Sequence, residues 1–291
     1  MLLTLLLSFG CFNTGPPDPL HIVAASEPSA WLAERLGGDL VRVERVLPAG
    51  ADAPTWTPTA DALTRIASAD LFLTHGAGYE PWAVHLALPE ANRAVGTAGL
   101  NLIEVAGHSH SHGGHTHSHG TVDPHTWADP AMFSAEARVV HAALAQRLPR
   151  HIEALDAQLQ HITGELQELG RALDDALGPY AGRRMAMNHP SFRYLARRGR
   201  FQLLPIDLDP ESPPEDATLA TVEAWLNSTD APILWWEEAP SDEVKHALPE
   251  AIVHLVLDPL ERPNNGQYDP FSAIQSNISA LRAAAPGPTA P

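Results

Sequence analysis

From Pro149 to Leu177 the chain carries one long helical signal, and that signal constrains the fold more than any other stretch. Ile152, Leu155, Leu159, Ile162, Leu166, Leu169 and Leu173 recur at intervals of three and four, which gathers them into a single apolar stripe along a helix. The residues between them are rich in Gln, Glu and Ala, which favour helix. Pro149 suits a first-turn position, and Gly178-Pro179 stops the run. About 28 residues at 1.5 Å each make a rod of roughly 40 Å, enough to run the length of two small domains.

Short apolar strands alternate with helical stretches on both sides of this rod. Upstream, Leu20 to Ala25, Val41 to Val46 and Leu71 to Thr74 read as strands, with helices over Pro28–Leu36 and Ala60–Ala69. Downstream, Arg184 to Asn188, Gln202 to Ile206, Ile233 to Trp236 and Ile252 to Val256 repeat the rhythm. Strands separated by helices imply βαβ units and parallel sheets. The expected fold is therefore α/β: two small βα domains with parallel sheets joined by one long interdomain helix. The 291 residues suffice for two domains with proper cores. The expected division is a signal segment and tether over 1–19 and an N-terminal domain over 20–148. The linking helix over 149–177, a C-terminal domain over 178–285 and a tail over 286–291 complete it.

Between Gly107 and Gly120 the chain reads G-H-S-H-S-H-G-G-H-T-H-S-H-G. Six of its 16 histidines, His108, His110, His112, His115, His117 and His119, fall in that loop of the N-terminal domain. Imidazole nitrogen suits zinc, copper and nickel better than calcium or magnesium, and glycine and serine leave the backbone free to fold around an ion. The tract reads as an auxiliary metal collector on composition, against the plainer alternative of a solvated low-complexity loop. A formal net charge of −17 argues against nucleic acid and against a basic membrane-binding face.

Met1 to Cys11 is apolar and too short to span a bilayer as a helix; it resembles the core of a secretory signal. Gly10-Cys11 looks like the end of a lipoprotein signal, which would lipidate Cys11 and leave Phe12–Pro19 as an extended tether. The segment lacks the usual Lys or Arg, so a plain cleaved signal and an uncleaved chain stand as alternatives. Cys11 is the single cysteine, so no internal disulfide forms.

Four further neighbourhoods carry a resemblance. Pro48-Ala49-Gly50-Ala51-Asp52 with Trp56-Thr57-Pro58-Thr59-Ala60-Asp61, Asp123-Pro124-His125-Thr126-Trp127, Asn188-His189-Pro190-Ser191-Phe192-Arg193-Tyr194 and Leu257-Asp258-Pro259-Leu260 are similar to the ligand motifs of one family. This is the zinc/manganese solute-binding family of bacterial ABC importers, and the His-rich tract resembles its zinc-specific members. The resemblance spans about Leu20 to Ala283. It implies a Zn2+ site in the cleft between the domains, held by His125, His189 and Asp258. It also implies a monomer outside the cytoplasm, in the periplasm or at the membrane face, that hands zinc to a permease subunit. The chemistry agrees: a closed zinc site takes about four N, O or S ligands, and Pro124 and Pro190 stiffen the chain beside the two histidines.

One position departs from the family. Where its first motif carries a ligand histidine, this chain has Pro54, which has no donor atom. His75, at the end of the strand begun by Leu71, is the expected substitute; Asp52, a water or a loop histidine are the alternatives. Glu237, after the Trp235-Trp236 strand, is a further carboxylate able to approach the cleft. Arg193, Arg197, Arg198 and Arg200 form a basic cluster suited to an importer subunit or to a solvated helix face. Capture rather than catalysis is the leading reading. A zinc buffer or metallochaperone with a degenerate cleft site is the first alternative. A zinc hydrolase using His75, His125 and His189 with an open water position is the second, although no H-E-x-x-H motif is present.

Overall fold

The computed structural model describes residues 18–105, 109–112, 115–118, 122–263 and 266–287. Its first half folds around strands β1 (Leu20–Ala24), β2 (Val41–Arg45), β3 (Leu71–Thr74) and β4 (Arg93–Val95), all parallel, in the order β2-β1-β3-β4. A small antiparallel hairpin of β5 (Ser109–His112) and β6 (His115–Ser118) follows. The second half repeats the plan with β7 (Arg184–Met187), β8 (Gln202–Pro205), β9 (Ile233–Trp236) and β10 (Val253–Val256), parallel and ordered β10-β9-β7-β8. Sheets covered by helices on both faces need apolar residues at successive positions, and β3 and β9 are buried along their whole length.

The helices begin where local chemistry allows. In α1 (Glu27–Gly37) the Ser26 hydroxyl accepts from the Ser29 amide, and in α2 (Ala60–Ser68) Thr59 does the same for Ala62. Asp129 caps α3 (Pro130–Arg147), whose first residue is a proline. The expected rod is α4 (Ile152–Leu177), preceded by one 3-10 turn over Pro149–His151. Its stripe is buried at Leu155 and from Ile162 onward, with Leu159 half-buried and Ile152 exposed. Next come α5 (Arg193–Gly199), α6 (Asp216–Leu226), α7 (Asp242–Ala247) and α8 (Pro270–Ala283), the last capped by Asp269.

The two sheets share one core. Trp31 of α1 stacks on Phe133 of α3 at 5.7 Å and meets Phe271 of α8 edge-on at 5.0 Å, so the C-terminal helix packs back onto the first half. The α4 stripe continues that cluster into the second half, where Trp235 lies among Tyr180, Phe192 and Phe201. The outer face of each sheet has its own cluster, around Phe72 in the first half and Trp236 in the second.

Seven of the ten strands lie where periodicity predicts them, within a residue or two. The three-residue β4 and the hairpin are additional. Cys11, His108 and His119 lie outside the described residues. The hairpin register pairs His110 with His117 and His112 with His115, and a bridge between Glu104 and Val122 closes its base. Among the described residues no helix is long and apolar enough to cross a membrane.

Candidate metal centre

Strand ends supply the site. His75 follows β3, Asn188-His189 follow β7, Glu237 follows β9 and Asp258 lies just beyond β10. The carboxyl ends of parallel strands are where α/β sheets place their ligands.

His125 occupies the turn before α3, stiffened by Pro124. One oxygen of Asp123 accepts both the His125 backbone N–H, at 2.9 Å, and the ring Nδ1–H, at 2.8 Å. Burial alone would raise the Asp123 carboxyl, but the His125 imidazole outweighs it and holds it below the usual carboxylate range. Burial would likewise lower His125, and the Asp123 carboxylate reverses that. An ionised Asp123 can only accept, so the ring proton sits on Nδ1 and Nε2 carries the lone pair.

His189 is built the same way from the other half. Its Nδ1 lies 2.8 Å from Glu237 Oε1, which also accepts from the Ser191 hydroxyl. Asn188 fixes the pair by accepting the Glu237 amide at 3.1 Å and donating to Leu208 O at 3.3 Å. Burial would raise Glu237, yet His189 and Ser191 bring it down to about 2. A carboxylate behind each imidazole is the outer-shell device that aims a metal-binding histidine.

The two rings face each other across the cleft, centroids 5.9 Å apart and planes at 90°. Imidazoles sharing one tetrahedral zinc, with Zn–N about 2.0–2.1 Å, have centroids about 5–6 Å apart. That separation is compatible with one shared ion. Among the described residues no three His, Cys, Asp or Glu side chains group closely enough to hold a metal ion.

Glu261 is a further carboxylate whose charge reaches His125. Tyr79, from the first half, donates to its Oε1 at 2.8 Å, and its charge contributes to raising His125. Asp258, the expected ligand, uses one carboxylate oxygen within its own turn. Its Oδ1 accepts from the Leu260 amide at 2.7 Å, while Asn277 clamps its backbone through two hydrogen bonds of 2.8 Å. Leu260 thereby sits at φ 57°, a left-handed conformation costing roughly 1–2 kcal/mol for a non-glycine residue. The turn presents Glu261, and Asp258 borders a cavity of about 550 Å³ against α8. The D-P pair is thus a turn-former. Asp258→Asn keeps the acceptor and is expected to leave zinc affinity within about threefold, whereas Glu261→Gln should lower it at least about tenfold. Chelator-competed titration measures both, and the reverse order would refute the assignment.

His75, the expected substitute ligand, bonds to the turn that carries His125. It is fully buried, and its Nε2–H donates to Pro124 O at 2.6 Å while Nδ1 lies 3.4 Å from Glu136 Oε2. Its ring stands edge-on to Trp127 at 4.5 Å. Glu80 holds the turn by accepting from the His75 and Gly76 amides at 2.9 and 3.0 Å. Gly76 is required there: φ is +89°, and a Cβ would lie 2.4 Å from Val95 Cγ1. With both nitrogens turned toward Pro124 and Glu136, His75 is a post behind the His125 turn. Around Pro54, Ala53 O accepts from the Trp82 indole at 3.2 Å, and Asp52 accepts from the Thr55 hydroxyl at 2.7 Å.

Asp123, Tyr79 and Glu261 escaped the sequence reading. Asp123 had a usable signal, a carboxylate two residues ahead of a candidate ligand histidine. Glu261 and Tyr79 had none, because their meeting spans 182 positions.

The sequence model of the family described as ZnuA, zinc-uptake complex component A, periplasmic, matches residues 22–284. The high-affinity zinc uptake system protein ZnuA of Bacillus subtilis is 25% identical over 91% of this chain and 87% of its own length. The zinc-binding lipoprotein AdcA of Streptococcus pneumoniae (strain ATCC BAA-255 / R6) is 26% identical over 94% of this chain, which spans 57% of that longer protein. The crystal structure of the Zn(II)-bound ZnuA-like domain of Streptococcus pneumoniae AdcA superposes with a TM-score of 0.78 at 22% identity, covering 92% of this chain and 99% of that one. That likeness establishes the fold. Relatives named for iron and for manganese match as well.

Proposed function

The chain belongs to the ZnuA family of periplasmic zinc-uptake components, and from that premise we propose that it captures Zn2+ in its cleft and delivers it to the permease of an ABC importer. The observation that carries this reading is the pair His125 and His189. They come from opposite halves, lie 5.9 Å apart, and each is backed at Nδ1 by an ionised carboxylate. Glu261 completes a set of two nitrogens and an oxygen, and a water takes the place of the side chain lost at Pro54. Two imidazoles favour zinc over manganese, which prefers oxygen donors. The family match favours a binding protein over a hydrolase. It works outside the cytoplasm as a monomer, anchored through a lipid on Cys11, with the His-rich tract raising the local zinc concentration.

The test is a chelator-competed zinc titration of the chain lacking residues 108–119, with manganese run in parallel. One tight zinc site that survives the deletion, with manganese at least about a hundredfold weaker, is the expected result. Only weak, multiple binding that disappears with the loop would overturn cleft capture in favour of a zinc buffer.

A further inference from the structure

Three of the four arginines near α5 reach residues of the first half of the chain. Arg197 donates to Asn101 O at 3.1 Å and lies 4.8 Å over the Tyr194 ring. Arg198 pairs with Asp129, the cap of α3, at 2.8 Å and with Asp174 of α4 at 2.6 Å. Arg193 Nη1 lies 3.4 Å from Asp123 Oδ2. The other oxygen of that carboxylate is the one bonded to the His125 amide and ring. Asp123 therefore divides its two oxygens between the opposite half of the molecule and the histidine it aims.

Tyr194 reinforces this from the next position. Its ring is fully buried, and its hydroxyl donates to Asp123 O at 2.8 Å while accepting from the Ile103 amide at 3.2 Å. Those two segments are also joined directly, Asp123 N–H donating to Ile103 O at 2.9 Å. One phenol thus ties both backbone segments that lead into and out of the histidine-rich excursion, and it does so from the helix that begins just after His189.

We propose that Arg193 and Tyr194 are positioning residues that aim His125 at the metal from the opposite half of the protein. The inference rests on the capture reading above. Arg193 touches no metal in this arrangement; it acts through Asp123. Because His189 and Arg193 share one short turn-and-helix segment, both imidazoles are set by the same piece of chain. His125 cannot rotate out without losing its bond to Asp123, which Arg193 and Tyr194 hold in place. The domain contact itself then prepares the cleft, in place of a first-loop histidine that Pro54 cannot supply.

The experiment compares the full chain with Arg193→Gln, Arg193→Lys, Tyr194→Phe and His125→Ala. The readouts are zinc affinity, the visible absorption of the Co2+-loaded form, and thermal unfolding without metal. Losing an outer-shell partner of a metal-binding histidine typically lowers affinity about 10–100-fold. Arg193→Gln and Tyr194→Phe are expected to fall in that range with a shifted cobalt spectrum, and Arg193→Lys should recover most of the loss. The rest of the shared core holds the fold, so metal-free unfolding should move little. If the full chain has no tight site, or His125→Ala leaves it intact, the capture reading itself fails. If the site is tight and needs His125, yet Arg193→Gln and Tyr194→Phe bind zinc within about twofold of the full chain, the positioning role is overturned. A fall in metal-free stability without an affinity change overturns it equally.

Discussion

Replacing His125 or His189 with alanine is expected to lower zinc affinity by roughly two to three orders of magnitude. A structural zinc site contributes about 10–16 kcal/mol, so one of about four donors accounts for about 2.5–4 kcal/mol. At 1.4 kcal/mol per tenfold, that is on the order of 100- to 1,000-fold. Alanine has a second effect, because each imidazole is also the partner of a buried carboxylate. His125→Ala strands Asp123 and His189→Ala strands Glu237, and removing one member of a buried charged pair costs about 3–5 kcal/mol when the other stays charged. Arg193 and Ser191 soften that penalty without cancelling it. Glutamine at either position offers an amide donor to the carboxylate but a poor metal ligand. His189→Gln should therefore lose most of the zinc affinity with a smaller drop in metal-free stability than His189→Ala. Titration and chemical denaturation of both variants separate the two effects. Affinity retained within tenfold in His189→Gln would remove His189 from the metal set.

Periodicity and position made much of this molecule legible. The β strands were readable because buried parallel strands are short uninterrupted apolar runs, and α4 because its stripe repeats at threes and fours over 26 residues. β4 was not readable: Arg93-Ala94-Val95 is three residues long and lies on an edge, where no alternation can develop. His125 and His189 stood out through the proline beside each. His75 and Asp258 show what the sequence leaves open. Both residues lie at strand ends pointing toward the cleft region, and sequence alone does not show where the donor atoms turn. For His75 the deciding fact is a carbonyl 49 positions away, and for Asp258 it is the amide two residues on. Here His75 supports the His125 turn, and Asp258 shapes the turn that carries Glu261.

Trp127 joins those two supports, and Trp127→Ala should be the most damaging single change to the fold near the site. The indole is fully buried and stands edge-on to the rings of His75, Tyr79 and His125, at 4.5, 5.1 and 5.5 Å. Truncating a buried tryptophan costs about 3–5 kcal/mol, here with three edge-on rings losing their packing surface. The indole N–H also donates to Pro259 O at 2.9 Å, across to the turn that presents Glu261. Phenylalanine isolates that second function. It keeps most of the apolar volume but leaves the Pro259 carbonyl without its donor, an expected loss of about 1–3 kcal/mol. If the indole bond sets the height of the Glu261 turn, Trp127→Phe lowers zinc affinity by more than its packing defect explains. The further effect of Glu261→Gln should then shrink in the Trp127→Phe background, because two changes acting on one contact are not additive. Full additivity in that double-mutant cycle would mean that Trp127 only fills space, and that the Glu261 turn stands on Asp258 and Asn277 alone.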